Sequence, residues 1–265
     1  VQSKIDLVDE EQTKKNYLEI KLLLKGRYDS APIIPVSAQQ EVNIDKIFEA
    51  ICEIKIPKRN LEGHPIFIVA RSFDINKPGA APKNLHGAVL GGALKQGILK
   101  VGDDIEIKPG RLIKEANKYR YQPIKTKIAS LFRGSQKLNE LTPGGSMSIE
   151  TELDMSLGKS DLLAGNVLSI DGKLPQISSS LKLKYSLFPE VFGLKEHFKV
   201  DNLKSNEMLM LSVNTSITGG LIRTLRNNEA EIDLKVPVVP FKNDNVGIAR
   251  NINGHWRLIG FGEIV

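Results

Sequence analysis

The sequence is poor in cysteine and in long apolar runs, and both shortages narrow the class of protein. Cys52 is the one cysteine among 265 residues, which excludes an internal disulfide framework and favours a reducing compartment. We expect its thiol, between Ile51 and Ile54, to be an inert core group. No run approaches the roughly 20 apolar residues that a membrane helix needs, and no signal peptide begins the chain. These shortages predict a cytoplasmic protein with no membrane partner.

The composition is that of an ordinary globular protein. Hydrophobic residues make up 41% of the chain and charged residues 26%, enough apolar material for one large domain or two small ones. The formal net charge of +6 permits an anionic partner such as RNA. The first residue is Val1 and not methionine, so we expect this not to be the natural start.

Residues 1–61 have the alternating pattern of an α/β layer. Lys4 to Val8 is predicted to end a strand, and Asp9 to cap a helix that stops at Gly26. Ile33 to Val36 is predicted to be a second strand, and Asn43 to cap a second helix with apolar residues at i, i+3, i+4 and i+7. Because two strands cannot make a stable covered sheet, we expect the rest of that sheet upstream.

The pattern of the sequence changes after residue 61, where signals for helices give way to signals for strands and turns. Short β-rich runs alternate with glycine- and proline-containing turns, as in Ile66 to Ala70, Asp104 to Lys108 and Ile232 to Val236. Many short strands separated by turns are typical of barrels or sandwiches. The predicted fold is therefore the end of an α/β domain followed by two all-β barrels, with boundaries at 1–61, 62–172 and 173–265.

Two short segments in the α/β part carry the chemistry. Ser3-Lys4-Ile5-Asp6 lies at the end of one predicted strand, and Ser37-Ala38-Gln39 comes after the next. The pair resembles the guanine-specificity loops of P-loop GTPases, usually Asn-Lys-x-Asp and Ser-Ala-x. The Asp6 carboxylate could accept hydrogen bonds from guanine N1 and N2, a donor pair that adenine lacks. Ligands bind beyond the carboxyl ends of such strands, where both segments fall.

These loops leave one alternative open and differ from the usual pattern at one position. Asp6 could instead be a surface carboxylate that caps the following helix. Ser3 stands where asparagine is usual, and its hydroxyl is shorter with fewer donors. We therefore expect weaker nucleotide binding with unchanged base choice. The predicted base-binding residues are Ser3, Lys4, Ile5, Asp6, Ser37, Ala38 and Gln39.

The phosphate-binding half of such a site is missing from the sequence. No G-x-x-x-x-G-K-[ST] segment occurs in the 265 residues. GTPases hold the phosphates and Mg²⁺ with that loop and its neighbours. We therefore expect this chain to hold at most the base end of GTP or GDP, to contain no catalytic residue and no metal site, and not to hydrolyse GTP by itself.

Several longer segments narrow the resemblance further. They are Ala31-Pro-Ile-Ile-Pro-Val-Ser-Ala-Gln39, Ile68-Val-Ala-Arg-Ser-Phe-Asp-Ile-Asn-Lys-Pro-Gly79, Gly87-Ala-Val-Leu-Gly-Gly-Ala93, Ile105-Glu-Ile-Lys-Pro-Gly110 and His255-Trp-Arg-Leu-Ile-Gly-Phe-Gly262. These segments resemble one branch of the translational GTPases, the family of the gamma subunit of translation initiation factor 2. The resemblance covers nearly the whole chain, although residues 190–205 and 226–229 match poorly.

The resemblance implies a function for the intact protein. Such a subunit is a GTPase that binds methionyl initiator tRNA and delivers it to the small ribosomal subunit, with alpha and beta subunits as partners. The aminoacyl end of the tRNA would lie between the GTP domain and the first barrel. The alternative from another class is a non-enzymatic two-barrel scaffold that binds protein or RNA partners.

Basic residues supply weaker candidates for tRNA contact. Residues 111–127 are rich in lysine and arginine with two interleaved tyrosines, which suits phosphate contact and base stacking. The alternative is a solvated hairpin whose tyrosines cover the barrel wall. The candidates are Arg71, Lys77, Arg111, Lys118 and Arg120.

Overall fold

The computed structural model of the chain describes residues 1–26, 28–115, 118–191 and 198–265; of Glu115, Lys118 and Tyr119 it describes the backbone alone. The chain divides into two compact units, Val1–Lys58 and Arg59–Val265. None of the helices in the described ranges is long and apolar enough to cross a membrane.

The first unit is built from two helices and short bridged segments. The helices are α1 (Glu10–Leu24) and α2 (Ile44–Cys52), and a 3₁₀ turn (Ile5–Leu7) precedes α1. Asp9 is the N-cap of α1 as predicted, since its carboxylate accepts a hydrogen bond from the Gln12 N–H at 2.8 Å. Asn43 occupies the N-cap position of α2, but its side chain makes no capping bond and instead donates to the Pro35 carbonyl at 2.9 Å.

The two strands predicted in the first unit do not form as expected. The prediction that Lys4 to Val8 ends a strand was wrong, because Ile5–Leu7 is a 3₁₀ turn, and of Ile33 to Val36 only Pro35 is bridged. Gln2 and Pro35 form an isolated parallel bridge, and Lys4 turns the chain with a left-handed φ of 63° into the 3₁₀ turn. A strand gains its length from neighbours on both sides, and in this unit the two segments have only one another. They therefore pair at a single bridge.

The helices of this unit leave their apolar faces uncovered. Neither α1 nor α2 contains a buried residue, and Leu23 and Phe48 are 75% and 64% exposed. The prediction that Cys52 is a core thiol was wrong, because Cys52 is exposed at the end of α2. Amphipathic spacing predicts which face of a helix is apolar, but burial also needs a layer to pack against.

The described residues of the second unit form fifteen strands. They are β1 (Ile66–Phe73), β2 (Val89–Gln96), β3 (Leu99–Lys100), β4 (Asp104–Glu115), β5 (Lys118–Arg133), β6 (Gln136–Leu138), β7 (Glu140–Leu141), β8 (Met147–Thr151), β9 (Val167–Ile170), β10 (Ser178–Leu187), β11 (Met208–Val213), β12 (Ser216–Arg226), β13 (Glu229–Val238), β14 (Asn245–Ile252) and β15 (His255–Ile264). Two short 3₁₀ segments, Pro82–Asn84 and Met155–Asp161, interrupt them.

These strands form two closed barrels. The first has the order β4-β9-β1-β2-β8-β5 and closes through the pairing of β5 with β4, while β6 pairs with β5 beside it. The second closes in the order β10-β13-β12-β11-β14-β15. Each barrel has its own apolar core, around Phe67 and Ile149 in the first and Leu211 and Ile248 in the second. The predicted fold, a small α/β part followed by two all-β barrels, is confirmed.

Candidate functional site

The two predicted base-binding loops lie side by side in the first unit. The Gln2 N–H donates to the Ile34 carbonyl at 2.9 Å, and the Val36 N–H donates to the Gln2 carbonyl at 2.8 Å. Two strands paired in parallel end at the same edge, so the residues that follow each strand emerge together. The Ile5 N–H then donates to the Val36 carbonyl at 3.3 Å, which keeps the two segments in contact beyond the bridge.

The Ser37 loop is closed by its own hydrogen bonds. Ser37 is fully buried, and it exchanges backbone hydrogen bonds with Val42 at 2.9 and 3.3 Å. Its hydroxyl accepts from the Gln40 N–H at 3.2 Å. Ala38 and Gln39 are left exposed at the tip, and in the described part of the chain the Ala38 N–H has no acceptor. The loop therefore presents an unused backbone donor.

Asp6 is the acceptor on the opposite loop. Its side chain is half-buried in the 3₁₀ turn, and among the described residues no hydrogen bond or ion pair engages its carboxylate. Helix α1 is capped by Asp9, so Asp6 does not have the capping role that was its alternative reading. Ser3 and Lys4 are exposed beside it, and Ile5 is half-buried. An unpaired carboxylate thus stands on the loop next to an unpaired amide donor.

A second candidate site lies on the outer face of the first barrel. It is an open pocket of about 440 Å³ at the exposed ends of β1 and β2. Its lining residues are Ile68, Ala70, Arg71, Phe73, Gly91, Gly92, Ala93, Gly134, Ser146, Met147, Ser148 and Thr215. Thr215 comes from the second barrel, and its hydroxyl donates to the Val69 carbonyl at 2.7 Å.

Glycines on β2 make room for this pocket. A Cβ on Gly92 would lie 2.0 Å from the Ile68 carbonyl oxygen, so the β1–β2 pairing requires glycine there. A Cβ on Gly91 would lie 3.1 Å from the Phe73 ring. The ring therefore lies over bare backbone and forms an aromatic wall.

Arg71 is the charged group of the pocket. Its Nε donates to both carboxylate oxygens of Asp161, at 2.9 and 3.0 Å, and its Cζ lies 5.5 Å from the centre of the Phe73 ring. The hydrogen bond from Arg71 is the main reason that the pKa of Asp161 is lowered, and the same bond raises the pKa of Arg71. Sequence reasoning singled out Arg71 but missed Asp161, because 90 residues separate the pair.

The other basic candidates lie on separate elements. Lys77 is exposed in the loop after β1, and Arg111 is exposed on β4 with a long 3.5 Å contact from its guanidinium to the Gln122 amide oxygen. Arg120 is exposed on β5, opposite Ile113. The side chain of Lys118 lies outside the described part of the structure.

Aspartate side chains neutralise some of the lysine charges on the β4–β5 hairpin. Lys125 forms an ion pair with Asp171 at 2.8 Å, and Lys127 lies 3.7 Å from Asp104. Tyr121 is half-buried, and its desolvation raises its pKa. Near Lys125 and Lys127, these contacts favour the alternative of a solvated hairpin over tRNA contact.

No described group of three or more His, Cys, Asp or Glu side chains is arranged to hold a metal ion. The two loops of the first unit offer groups for a purine base.

The fold is shared with known translation factors. The chain aligns with translation elongation factor SelB from Methanococcus maripaludis in complex with the GTP analogue GPPNHP, with a TM-score of 0.74 and 20% identity over 99% of this chain and 57% of that one. A bacterial selenocysteine-specific elongation factor gives a TM-score of 0.73 at 18% identity, over 99% of this chain and 38% of that one. At these identities the likeness shows the fold alone.

Sequence relatives identify the branch. A family model described as "Initiation factor eIF2 gamma, C terminal" matches residues 179–264. The chain is 47% identical to the translation initiation factor 2 subunit gamma of Methanocaldococcus jannaschii over 100% of this chain and 65% of that protein. It is 46% identical to the same subunit of Pyrococcus horikoshii, over 99% and 64%. The chain thus spans about 65% of the length of these curated relatives, and along its whole length it is similar to translation initiation factor 2 gamma subunits.

Proposed function

We propose that this chain is part of a GTP-dependent carrier that delivers methionyl initiator tRNA to the small ribosomal subunit in the cytoplasm. The observation that carries the proposal is the pairing of Gln2 with Pro35, which leaves the Asp6 carboxylate and the Ala38 N–H unpaired on neighbouring loops. Identity of 46 to 48% to archaeal initiation factor 2 gamma subunits along the whole chain supports the assignment.

The base end of GTP or GDP would be recognised by the first unit. Asp6 would accept hydrogen bonds from guanine N1 and N2, and the Ala38 N–H would donate to O6. Lys4 would lay its aliphatic stem on the base plane. Ser3, Ile5, Ser37 and Gln39 would shape the loops around the base. GTP hydrolysis and Mg²⁺ binding would belong to the intact protein, because the phosphate-binding segment is absent from this sequence.

The aminoacyl end of the tRNA would meet the first barrel at the Arg71 pocket. An open pocket with an aromatic wall and one cation suits a terminal nucleotide, because the base can stack while the guanidinium meets the ribose-phosphate backbone. The exposed residues Lys77, Arg111 and Arg120, with Lys118, would add weaker electrostatic attraction. The alpha and beta subunits of the factor would complete the carrier.

Nucleotide protection of the intact parent protein tests the first part of this proposal. We expect GDP to raise the melting temperature and ADP to leave it unchanged, since ligand binding to the native state alone stabilises it. Asp6→Ala should weaken GDP binding roughly 100-fold, because two charge-assisted hydrogen bonds are lost.

The control for that variant is Asp45→Ala, which removes another exposed carboxylate from the same unit. Equal protection by GDP and ADP, or equal loss in the two variants, would refute base reading by Asp6. If neither nucleotide protects the parent protein, the alternative of a two-barrel scaffold without nucleotide replaces the proposal.

A further inference from the structure

Two consecutive residues near the pocket have a backbone conformation that side chains rarely adopt. Ser160 and Asp161 have φ values of 52° and 57°, in the left-handed region. Such outliers in residues other than glycine cost energy and persist where the surroundings enforce them, commonly at functional sites. They end the 3₁₀ segment Met155–Asp161, which has a kink at Lys159 and Ser160.

Three contacts hold this segment against β1. Gly158 approaches so closely that a Cβ would lie 2.4 Å from the Phe73 carbonyl oxygen. The Leu163 N–H donates to the Ser72 hydroxyl at 3.1 Å, and the Ser72 N–H donates to the Asp161 carboxylate at 3.0 Å. The left-handed backbone at Ser160 and Asp161 thus places the Asp161 carboxylate beside Arg71 and Ser72.

The carboxylate engages Arg71 through Nε and leaves the terminal nitrogens unused. The two carboxylate oxygens of Asp161 share the single N–H of Nε, and the described residues offer the terminal nitrogens of Arg71 no acceptor. The Phe73 ring lies 5.5 Å from Cζ and supports the guanidinium from one side. Arg71 keeps an exposed side-chain fraction of 62%, so these nitrogens are open to a ligand.

We propose that Asp161 is a positioning residue that holds Arg71 against Phe73, so that the free guanidinium nitrogens meet the terminal phosphodiester of an aminoacylated RNA in the first-barrel pocket. This inference rests on the proposed function. A long arginine side chain in solution samples many rotamers, and fixing it before binding removes an entropic cost of association.

A double-mutant cycle in the intact factor, with its other subunits and methionyl initiator tRNA, tests the coupling. Asp161→Ala should weaken tRNA binding about 5- to 20-fold, and Arg71→Met by at least as much. In the Arg71→Met background, Asp161→Ala should have no further effect, because the residue that it positions is gone. Asp161→Asn should recover most of the affinity, since asparagine tolerates the left-handed region and keeps an acceptor.

The chain provides a matched control pair. Arg223 and Asp233 form a similar ion pair on the second barrel, with side-chain exposures of 60% and 38% against 62% and 37% for Arg71 and Asp161. Asp233→Ala should leave tRNA affinity unchanged. GDP affinity and the far-ultraviolet circular dichroism spectrum of every variant show whether it is folded, and Asp161→Gly, which relieves the backbone strain, replaces Asp161→Ala if that variant does not fold.

The possible results distinguish the positioning role of Asp161 from the proposed carrier function. Equal losses from Asp161→Ala with and without Arg71 would show a purely structural role and overturn the inference. Normal tRNA binding by Arg71→Met would also overturn it, while leaving the carrier function standing. Failure of the wild-type factor to bind the tRNA would overturn both.

Discussion

Ser3 and Lys4 are exposed residues of the candidate base site. Lys4 turns the backbone in the left-handed region with a φ of 63°, which directs the chain from the Gln2 bridge into the 3₁₀ turn that carries Asp6. Ser3 precedes this turn and is exposed. An asparagine at this position would reach farther and carry two donors, against one for the serine hydroxyl.

Ser3→Asn in the intact protein should strengthen GDP binding by about 2- to 10-fold, the gain expected from one additional hydrogen bond. Calorimetric titration of GDP measures the change. Ser30→Asn, at another exposed serine of the same unit, is the control and should have no effect. An unchanged affinity in Ser3→Asn would mean that Ser3 does not limit the affinity of the site for GDP.

Asn43 shows how a residue with a familiar local signal can have another role. Its φ of 59° is left-handed, and its amide donates to the Pro35 carbonyl instead of the first turn of α2. This bond ties the start of α2 to the segment that pairs with Gln2. The side chain therefore stabilises the Ser37 loop.

At the scale of elements, the segment Met155–Asp161 depends on ionised carboxylates. The pKa of Asp154 is lowered mainly by a hydrogen bond with the Ser156 side chain and then by the Ser156 N–H, which donates to the carboxylate at 2.8 Å. The pKa of Asp161 is lowered mainly by the hydrogen bond from Arg71 and then by the Ser72 N–H. The pKa of Asp74 is lowered by the Asn76 amides and, less strongly, by Lys159. All three carboxylates act on the same side of the first barrel.

We predict that this segment loosens in acid before the barrel core does. A carboxyl group whose pKa is lower in the folded state contributes stability that is complete above its unfolded pKa of about 4 and is lost as the pH falls through the folded value. Hydrogen exchange in the segment should therefore accelerate below about pH 4. Asp161→Asn should show a smaller change between pH 5 and pH 3 than the wild type. An equal change in both proteins would contradict the assignment to Asp161.

The two barrels are joined by an apolar seam and a few polar contacts. Val167, Leu174 and Val239 are buried together, with Ile68 and Phe241 packed against them. Lys95 on the first barrel forms an ion pair with Asp244 on the second, and its ammonium lies 5.6 Å from the centre of the Phe241 ring. These contacts connect the pocket wall at β1 and β2 directly to the second barrel.

A buried ion pair fixes the chain between the barrels. Lys108 donates to the Leu174 carbonyl at 3.2 Å and lies 3.2 Å from the Glu106 carboxylate, which in turn accepts from the Leu174 N–H at 2.7 Å. Their side chains are only 11% and 5% exposed. The pair satisfies backbone groups that would otherwise be buried without partners.

Removal of either member of this ion pair should be strongly destabilising, and the two losses should not add. We expect Glu106→Gln or Lys108→Met to lower the free energy of unfolding by about 3–5 kcal/mol, because each leaves the other partner or its backbone groups buried without a counterpart. The double variant should lose less than the sum of the two. Urea denaturation measures the cycle, and Glu229→Gln, in the exposed Lys182–Glu229 pair, should be nearly neutral. Strict additivity would exclude coupling.

The sequence pattern predicted those features of the fold that depend on residues close together in the chain. The Asp9 cap, both helices and the succession of short strands followed from spacing and turn residues, and two barrels followed from their number. Cys52 and the two short strands were misjudged, because burial and strand length depend on layers that are not local in sequence.

The candidate sites divide in the same way. The sequence alone predicted which two loops would carry a guanine site, because that signal is a short run of side chains near the end of a strand. Only the tertiary structure decided that the Asp6 and Ser37 loops emerge at one edge, and that Asp161 meets Arg71 across 90 residues. The physical reason is that strand register and loop closure bring distant residues together, and no local preference encodes which of them will meet.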